Sequence, residues 1–67
     1  MNLKTLGALD LGRRIKYTLP YKANRKAGEQ TVFPGILVDY DKTHVFILVE
    51  AVQKTKFKTS HNDVEFI

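Results

Sequence analysis

Residues 33–50 of the chain read FPGILVDYDKTHVFILVE. Apolar and β-branched residues dominate both halves of this stretch, which is typical of β-strands. The polar residues 41–43 in its middle indicate a short turn, because an aspartate can hydrogen-bond the backbone two residues further on. The stretch therefore predicts two antiparallel strands joined by a hairpin, over Thr31–Asp41 and Thr43–Gln53.

The first of these strands does not alternate cleanly between apolar and polar residues. Pro34 removes a ladder donor, and Gly35 permits a bulge or a sharp bend. Strict alternation divides the apolar side chains between the two faces, with Val32, Ile36, Val38 and Tyr40 on one and Phe33 and Leu37 on the other. A strand that is apolar on both faces around a bend is expected in a small β-barrel.

Three further strands are predicted outside this hairpin. Arg13–Leu19 alternates with period two and stops at Pro20, and Lys54–Thr59 alternates with its lysines facing outward. Val64–Ile67 forms a short last strand after a helical or 3₁₀ turn that Ser60 caps. The second strand of the hairpin follows the same period, with residues 45, 47, 49 and 51 on one face. The fold class is therefore all-β, with five strands.

The segment before the first strand has a different pattern. Leu3, Leu6 and Leu9 stand at roughly helical spacing after Asn2, which can cap a helix, and Gly12 suits the end of one. We therefore expect a short N-terminal helix or an irregular arm over residues 1–12, followed by a single β-domain over residues 13–67.

Positive charge is concentrated in the first part of the chain. Residues 1–28 carry seven Lys/Arg against one acid, whereas residues 29–67 carry four lysines against six acids. This asymmetry indicates a surface that faces a polyanion. The candidate binding residues are the cations and one exposed aromatic of this part: Arg13, Arg14, Lys16, Tyr21, Lys22, Arg25 and Lys26. Lys54, Lys56 and Lys58 form a secondary basic row, although exposed lysines also keep an edge strand from pairing with a neighbour.

Several kinds of chemistry are poorly supported by the composition. The chain has no cysteine and only two histidines, which excludes disulfides and thiolate metal sites and leaves too few ligands for zinc. Ser60, His61 and Asp63 are too close in sequence to adopt the geometry of a catalytic triad. The longest apolar run, residues 45–49, is far short of a membrane helix. We expect a cytoplasmic protein that is not an enzyme, needs no cofactor or metal, and does not bind membranes.

The order of the predicted elements resembles the SH3-like small barrels, which have five strands, a long first loop and a 3₁₀ turn before the last strand. Within that class, four stretches are similar to short uncharacterised proteins of phages and mobile elements: Gly12–Tyr17, Gly35–Asp41, Val45–Ile47 and Asp63–Phe66. This resemblance implies a five-stranded SH3-like barrel that acts as a compact binding module. If the protein is phage-encoded, the module would work in the host cytoplasm.

A second resemblance is to the Sm and Hfq RNA-binding proteins. The spacing of their first motif is followed by Gly35, Leu37, Tyr40-Asp41, Ile47-Leu48 and Glu50, and Phe57-Lys58 lies near the aromatic-Lys-His motif of Hfq. This resemblance implies an RNA-binding ring and therefore a homo-oligomer. Three positions depart from the pattern, since Thr43, Val45 and Thr59 replace a base-stacking residue, an asparagine and a histidine.

Three binding functions remain open on the sequence alone. The first is a basic module that contacts nucleic acid without strong sequence preference. The second is a protein-binding adaptor or inhibitor, in which the basic loop meets an acidic protein surface or an open edge strand accepts a partner strand. The third is the Sm-like RNA-binding ring.

Overall fold

The computed structural model describes residues 1–19 and 31–67. These residues form five β-strands: β1 (Arg14–Thr18), β2 (Val32–Tyr40), β3 (His44–Val49), β4 (Gln53–Ser60) and β5 (Val64–Phe66). Three single-turn 3₁₀ helices accompany them, at Leu3–Thr5, Ala8–Asp10 and His61–Asp63. The prediction of an all-β fold is confirmed.

The strands belong to one antiparallel sheet with the order β4-β3-β2-β1-β5. Four strands follow one another as a meander, and β5 returns to pair with the free side of β1. Within the described ranges β4 and β5 are the two edges of the sheet, and no ladder joins them. None of the helices in those ranges has the length and apolar character that crossing a membrane demands.

The core lies against one face of the sheet, which we call the inner face. Its buried side chains come from four strands: Ile15, Tyr17, Leu37, Val45, Ile47, Val49 and Val64. In β1 and β3 they occupy alternate positions, as the period of two predicted. The prediction was wrong for Ala51, which is exposed because β3 ends at Val49 and residues 50–52 form a turn. The Tyr17 ring also meets Phe57 of β4 edge to face, with 5.5 Å between ring centroids. Burying each of the larger side chains stabilises the fold by about 1.5–3 kcal/mol.

The structure corrects the prediction for β2. Strict alternation placed Tyr40 on the face of Val32 and Ile36, but Tyr40 packs against the core. The cause is a register shift in the β2–β3 ladder between Leu37 and Asp39, where an extra residue reverses the order of the faces. The irregularity therefore lies beyond Pro34 and Gly35, where the bend was expected.

Gly35 has a different role, which is to permit close packing. It lies opposite Ile15 in the β1–β2 ladder. A Cβ atom at this position would lie 2.6 Å from the carbonyl oxygen of Leu48 and 2.6 Å from Cγ2 of Val49. Only a residue without a side chain fits between β1 and β3 here, so glycine allows the sheet to coil tightly over its core.

The N-terminal segment forms two 3₁₀ turns. The side chain of Asn2 accepts a hydrogen bond from the backbone nitrogen of Lys4 at 3.0 Å, which confirms the predicted cap. Gly12 adopts a φ of 89°, and its N–H donates to the carbonyl oxygen of Leu37 at 2.7 Å, so the segment is joined to β2. Glycine adopts that left-handed conformation without the steric cost of a side chain.

The predicted turn before the last strand is confirmed as well. The Ser60 hydroxyl accepts a hydrogen bond from the backbone nitrogen of Asn62 at 3.2 Å and caps the turn His61–Asp63. Nδ1 of His61 lies 2.8 Å from the carbonyl oxygen of Met1. Met1 packs against the core, so this contact holds the start of the chain beside the turn that leads into β5.

Candidate functional site

The face of the sheet that points away from the core, the outer face, has apolar residues in its centre. The ladders place Pro34 opposite Lys16, and Ile36 between Arg14 and Leu48. Phe46 lies opposite Lys58 of β4. An apolar strip on β2 and β3 is therefore bordered by cations on β1 and on β4.

A groove of about 580 Å³ opens on this face, and we call it the outer groove. Its lining is largely apolar and comes from β2, β3, the turn after β3 and the last residue of the chain: Phe33, Pro34, Gly35, Ile36, Leu48, Ala51 and Ile67. Phe33 also packs against the core, so the groove reaches the edge of the inner face. Ile36 is 41% exposed and Ile67 71% exposed, so these side chains are accessible to a ligand. Arg14 and Glu50 are the charged residues of the lining.

Arg14 is the predicted candidate that is best placed to bind an anion. It is exposed on β1, and it makes no ion pair or cation–π contact within the part of the chain that the structure describes. The adjacent backbone fixes its position, because its carbonyl oxygen accepts a hydrogen bond from the N–H of Ile67 at 3.2 Å. The backbone of Arg14 is thus fixed beside an apolar groove that its side chain lines, and its charge is available to a ligand.

The other two described candidates of the first basic group, Arg13 and Lys16, already have partners. Arg13 forms an ion pair with Asp10 at 2.9 Å, and its guanidinium carbon lies 3.9 Å from the ring centroid of Phe66. The hydrogen bond from Arg13, helped by one from the backbone of Gly7, lowers the pKa of Asp10. Lys16 lies 3.4 Å from the carboxylate of Glu65 on β5. Exposed pairs of this kind contribute little to stability.

The secondary basic row lies on the edge strand β4. Lys54, Lys56 and Lys58 are all exposed. Lys58 has a long ion pair with Asp41, at 3.8 Å. Lys54 and Lys56 form no ion pair with any described residue, so their charges are available to a partner.

The turn between β2 and β3 uses Asp41 as a structural residue. Its Oδ1 accepts hydrogen bonds from the backbone nitrogens of Thr43 at 2.8 Å and His44 at 2.7 Å. These bonds lower the pKa of Asp41. The described residues contain no cluster of three or more potential metal ligands.

Four predicted binding residues, Tyr21, Lys22, Arg25 and Lys26, lie outside the described residues. The outer groove itself was missed by sequence reasoning, which treated the apolar residues of β2 as barrel wall. The sequence did contain a signal for it, which is that β2 is apolar on both faces. A strand with one face in solvent needs apolar residues on its other face only, so the second apolar face indicated a surface for a ligand.

Comparison with known proteins adds no family to this description, since no protein-family model, curated protein or solved structure matches the chain. A homo-oligomeric state, an Sm-like ring and a cytoplasmic location therefore stay predictions.

Proposed function

We propose that this protein is a small non-enzymatic module that binds single-stranded nucleic acid without strong sequence preference, with the outer groove as the centre of its site. The observation that carries the proposal is the position of Arg14, an exposed cation without an ion-pair partner among the described residues, at the rim of an accessible apolar groove. Such sites neutralise phosphate with the cation and cover base faces with the apolar surface.

The sequence around β1 supports the same proposal. Between Leu11 and Gly28 the chain has six Lys/Arg and no acid. Lys22, Arg25 and Lys26 follow directly after β1 in the chain, and Tyr21 supplies an aromatic ring for stacking. We propose that these residues contact additional phosphates of the same strand. Phosphate contacts carry no sequence information, so they fit binding that depends on charge and has little sequence preference.

We also propose that the sheet curls into a barrel of the SH3-like class, of the kind found in short phage proteins. Two features support this assignment. The strand order is that of a meander whose last strand returns to β1, and the turn His61–Asp63 directly precedes that strand. Gly35 adds a third, because the contact of its backbone with Leu48 and Val49 requires a strongly coiled sheet.

Fluorescence anisotropy with a labelled oligonucleotide of about 12 nucleotides tests the proposal. Affinity should fall steeply between about 50 and 200 mM salt, because phosphate contacts release counterions. Arg14→Ala should weaken binding and reduce the slope of log K against log salt by about 0.7, the value for one lost contact to a single strand. Arg25→Ala with Lys26→Ala should weaken binding equally for all base sequences.

Lys42→Ala is the matched control for Arg14→Ala. It removes one exposed positive charge from the turn at the opposite end of the β2–β3 hairpin. It should therefore leave the affinity and the salt dependence almost unchanged. Salt-independent binding, or an equal loss of affinity in the control, would contradict the proposal.

A second candidate function is that of a protein-binding adaptor or inhibitor. The observation in its favour is Glu50, which gives the outer groove one negative charge beside the positive charge of Arg14. A mixed pair of charges in an apolar groove suits a protein surface better than a polyanion. A pull-down from bacterial lysate with and without nuclease separates the two functions, since nuclease treatment abolishes capture only where nucleic acid is the ligand.

A further inference from the structure

The edge strand β4 has a second binding surface that does not involve the outer groove. Within the described residues β4 pairs only with β3, and it extends over eight residues, Gln53–Ser60. In such a strand, alternate backbone N–H and C=O groups point away from the sheet and can pair with an additional strand. The strand is long enough for several such hydrogen bonds.

The charges along β4 select what can pair with it. Lys54, Lys56 and Lys58 occupy alternate positions in the sequence of β4 and are all exposed. The β3–β4 register shifts between Ile47 and Val49, so the strand is regular at Phe57–Ser60 and irregular over residues 54–56. Pairing with β4 of a second copy would bring lysines close to lysines, which is destabilising. Pairing with a strand that carries acids at alternate positions would place opposite charges side by side.

The other side of β4 adds an apolar requirement. Phe57 faces inward, is only half-buried and packs edge to face on Tyr17. A strand added beside β4 would present its alternate residues at the same level as Phe57. Apolar side chains at these positions would cover the exposed part of the Phe57 ring and extend the core.

We propose that β4 accepts an extended acidic segment of another protein as a sixth strand of the sheet. The segment has acids at alternate positions, opposite the lysines of β4, and apolar residues between them. The main-chain hydrogen bonds supply affinity, and the alternation supplies specificity. This partner chemistry differs from that of the outer groove, so the inference does not rest on the proposed nucleic-acid function.

The test uses two labelled peptides of the same composition and the same length as β4, eight residues. One alternates Glu and Val, and the other has its glutamates in one block and its valines in another. The alternating peptide should bind about tenfold more tightly or better, because only it can place three of its four acids opposite the three lysines of β4 while its valines face inward. Hydrogen exchange should show new protection at amides of β4.

A charge-reversed variant, Lys54→Glu with Lys56→Glu, separates recognition from folding. Neither lysine has an ion pair within the described residues, so the variant should melt close to the parent temperature. It should lose binding to the alternating Glu/Val peptide and gain binding to an alternating Lys/Val peptide. This exchange of specificity cannot arise from a loss of structure.

Several results would overturn the inference. Equal binding of the alternating and block peptides would show attraction by net charge alone. Attraction by net charge alone would also be shown if a single-stranded oligonucleotide of equal charge protected the β4 amides to the same extent as the alternating peptide. Absence of peptide binding at low salt, or failure of the charge-reversed variant to bind the Lys/Val peptide, would reject the added strand.

Discussion

Gly35→Ala gives the most direct test of how this sheet packs. The added Cβ would lie 2.6 Å from both the carbonyl oxygen of Leu48 and Cγ2 of Val49, and 3.2 Å from Cδ1 of Ile15. Val49 and Ile15 are fully buried, and the oxygen belongs to the backbone of β3. The carbonyl oxygen cannot move away without shifting β3, and the two side-chain carbons lie in a packed core, so the methyl group should disrupt the contact between β1, β2 and β3.

The expected cost follows from two opposing effects. Forcing one extra carbon into a packed core typically costs about 1–3 kcal/mol. Because a backbone oxygen is among the atoms met, the cost should lie in the upper part of this range, at about 2–3 kcal/mol. Replacing glycine by alanine restricts the unfolded chain, which offsets about 0.4–1 kcal/mol of that cost. The net loss should then be about 1–2.5 kcal/mol, and since each kcal/mol shifts the melting temperature of a domain of this size by about 4–8 °C, the shift should be about 4–20 °C downward. A 67-residue chain has a total stability of roughly 3–10 kcal/mol, so the change is large.

Thermal unfolding followed by far-ultraviolet circular dichroism measures this shift, and Gly7→Ala is the matched control. A Cβ at Gly7 would meet no atom within 4 Å, and its φ of −144° is accessible to alanine. The control should therefore melt at or slightly above the parent temperature. If Gly35→Ala melted within about 2 °C of the parent, a shift below that of 1 kcal/mol, the tight contact between β2 and β3 would be refuted.

Three further predictions follow from the core and the turn. Ile47→Ala removes a fully buried side chain from β3, and urea unfolding should show a loss of about 2–5 kcal/mol in the free energy of unfolding. Phe57→Leu keeps an apolar residue but loses the edge-to-face contact with Tyr17, and urea unfolding should show a loss of about 0.5–1.5 kcal/mol. The pKa of Asp41 is lowered from 3.8, so its carboxylate stabilises the fold above pH 3.8, and this contribution is lost as the pH falls through its folded pKa. Asp41→Asn should therefore show a smaller drop in melting temperature on acidification from neutral pH to below 3.8, and an unchanged drop would contradict the role of this carboxylate.

The strands that were predicted best are those whose pattern is local. In β1 and β3 each residue alternates between the core and the solvent, so period two in the sequence was enough to identify Ile15, Tyr17 and Ile47 as inward-facing. The caps at Asn2 and Ser60 were also predictable, because a capping side chain bonds backbone groups only two residues away.

The failures occur where a residue depends on a neighbouring strand. Tyr40 lies on the inner face because of the register shift with β3, and no feature of the β2 sequence alone predicts that shift. The importance of space at Gly35 likewise depends on atoms of Leu48 and Val49. Residues 13–16 were predicted as one basic group, but the sheet gives Arg13 and Lys16 acidic partners and leaves Arg14 at the groove.

The amino-acid sequence by itself determined the number of strands, the turns before β3 and β5, the caps, and the concentration of positive charge before Gly28. These are properties of short segments, set by side-chain period, backbone preference and formal charge. The sequence did not predict the turn at residues 50–52 between β3 and β4. Only the tertiary structure decided which apolar residues of β2 stay exposed and which cations keep a free charge. Both depend on contacts between strands that are distant in the chain, and the pairing of whole strands creates those contacts.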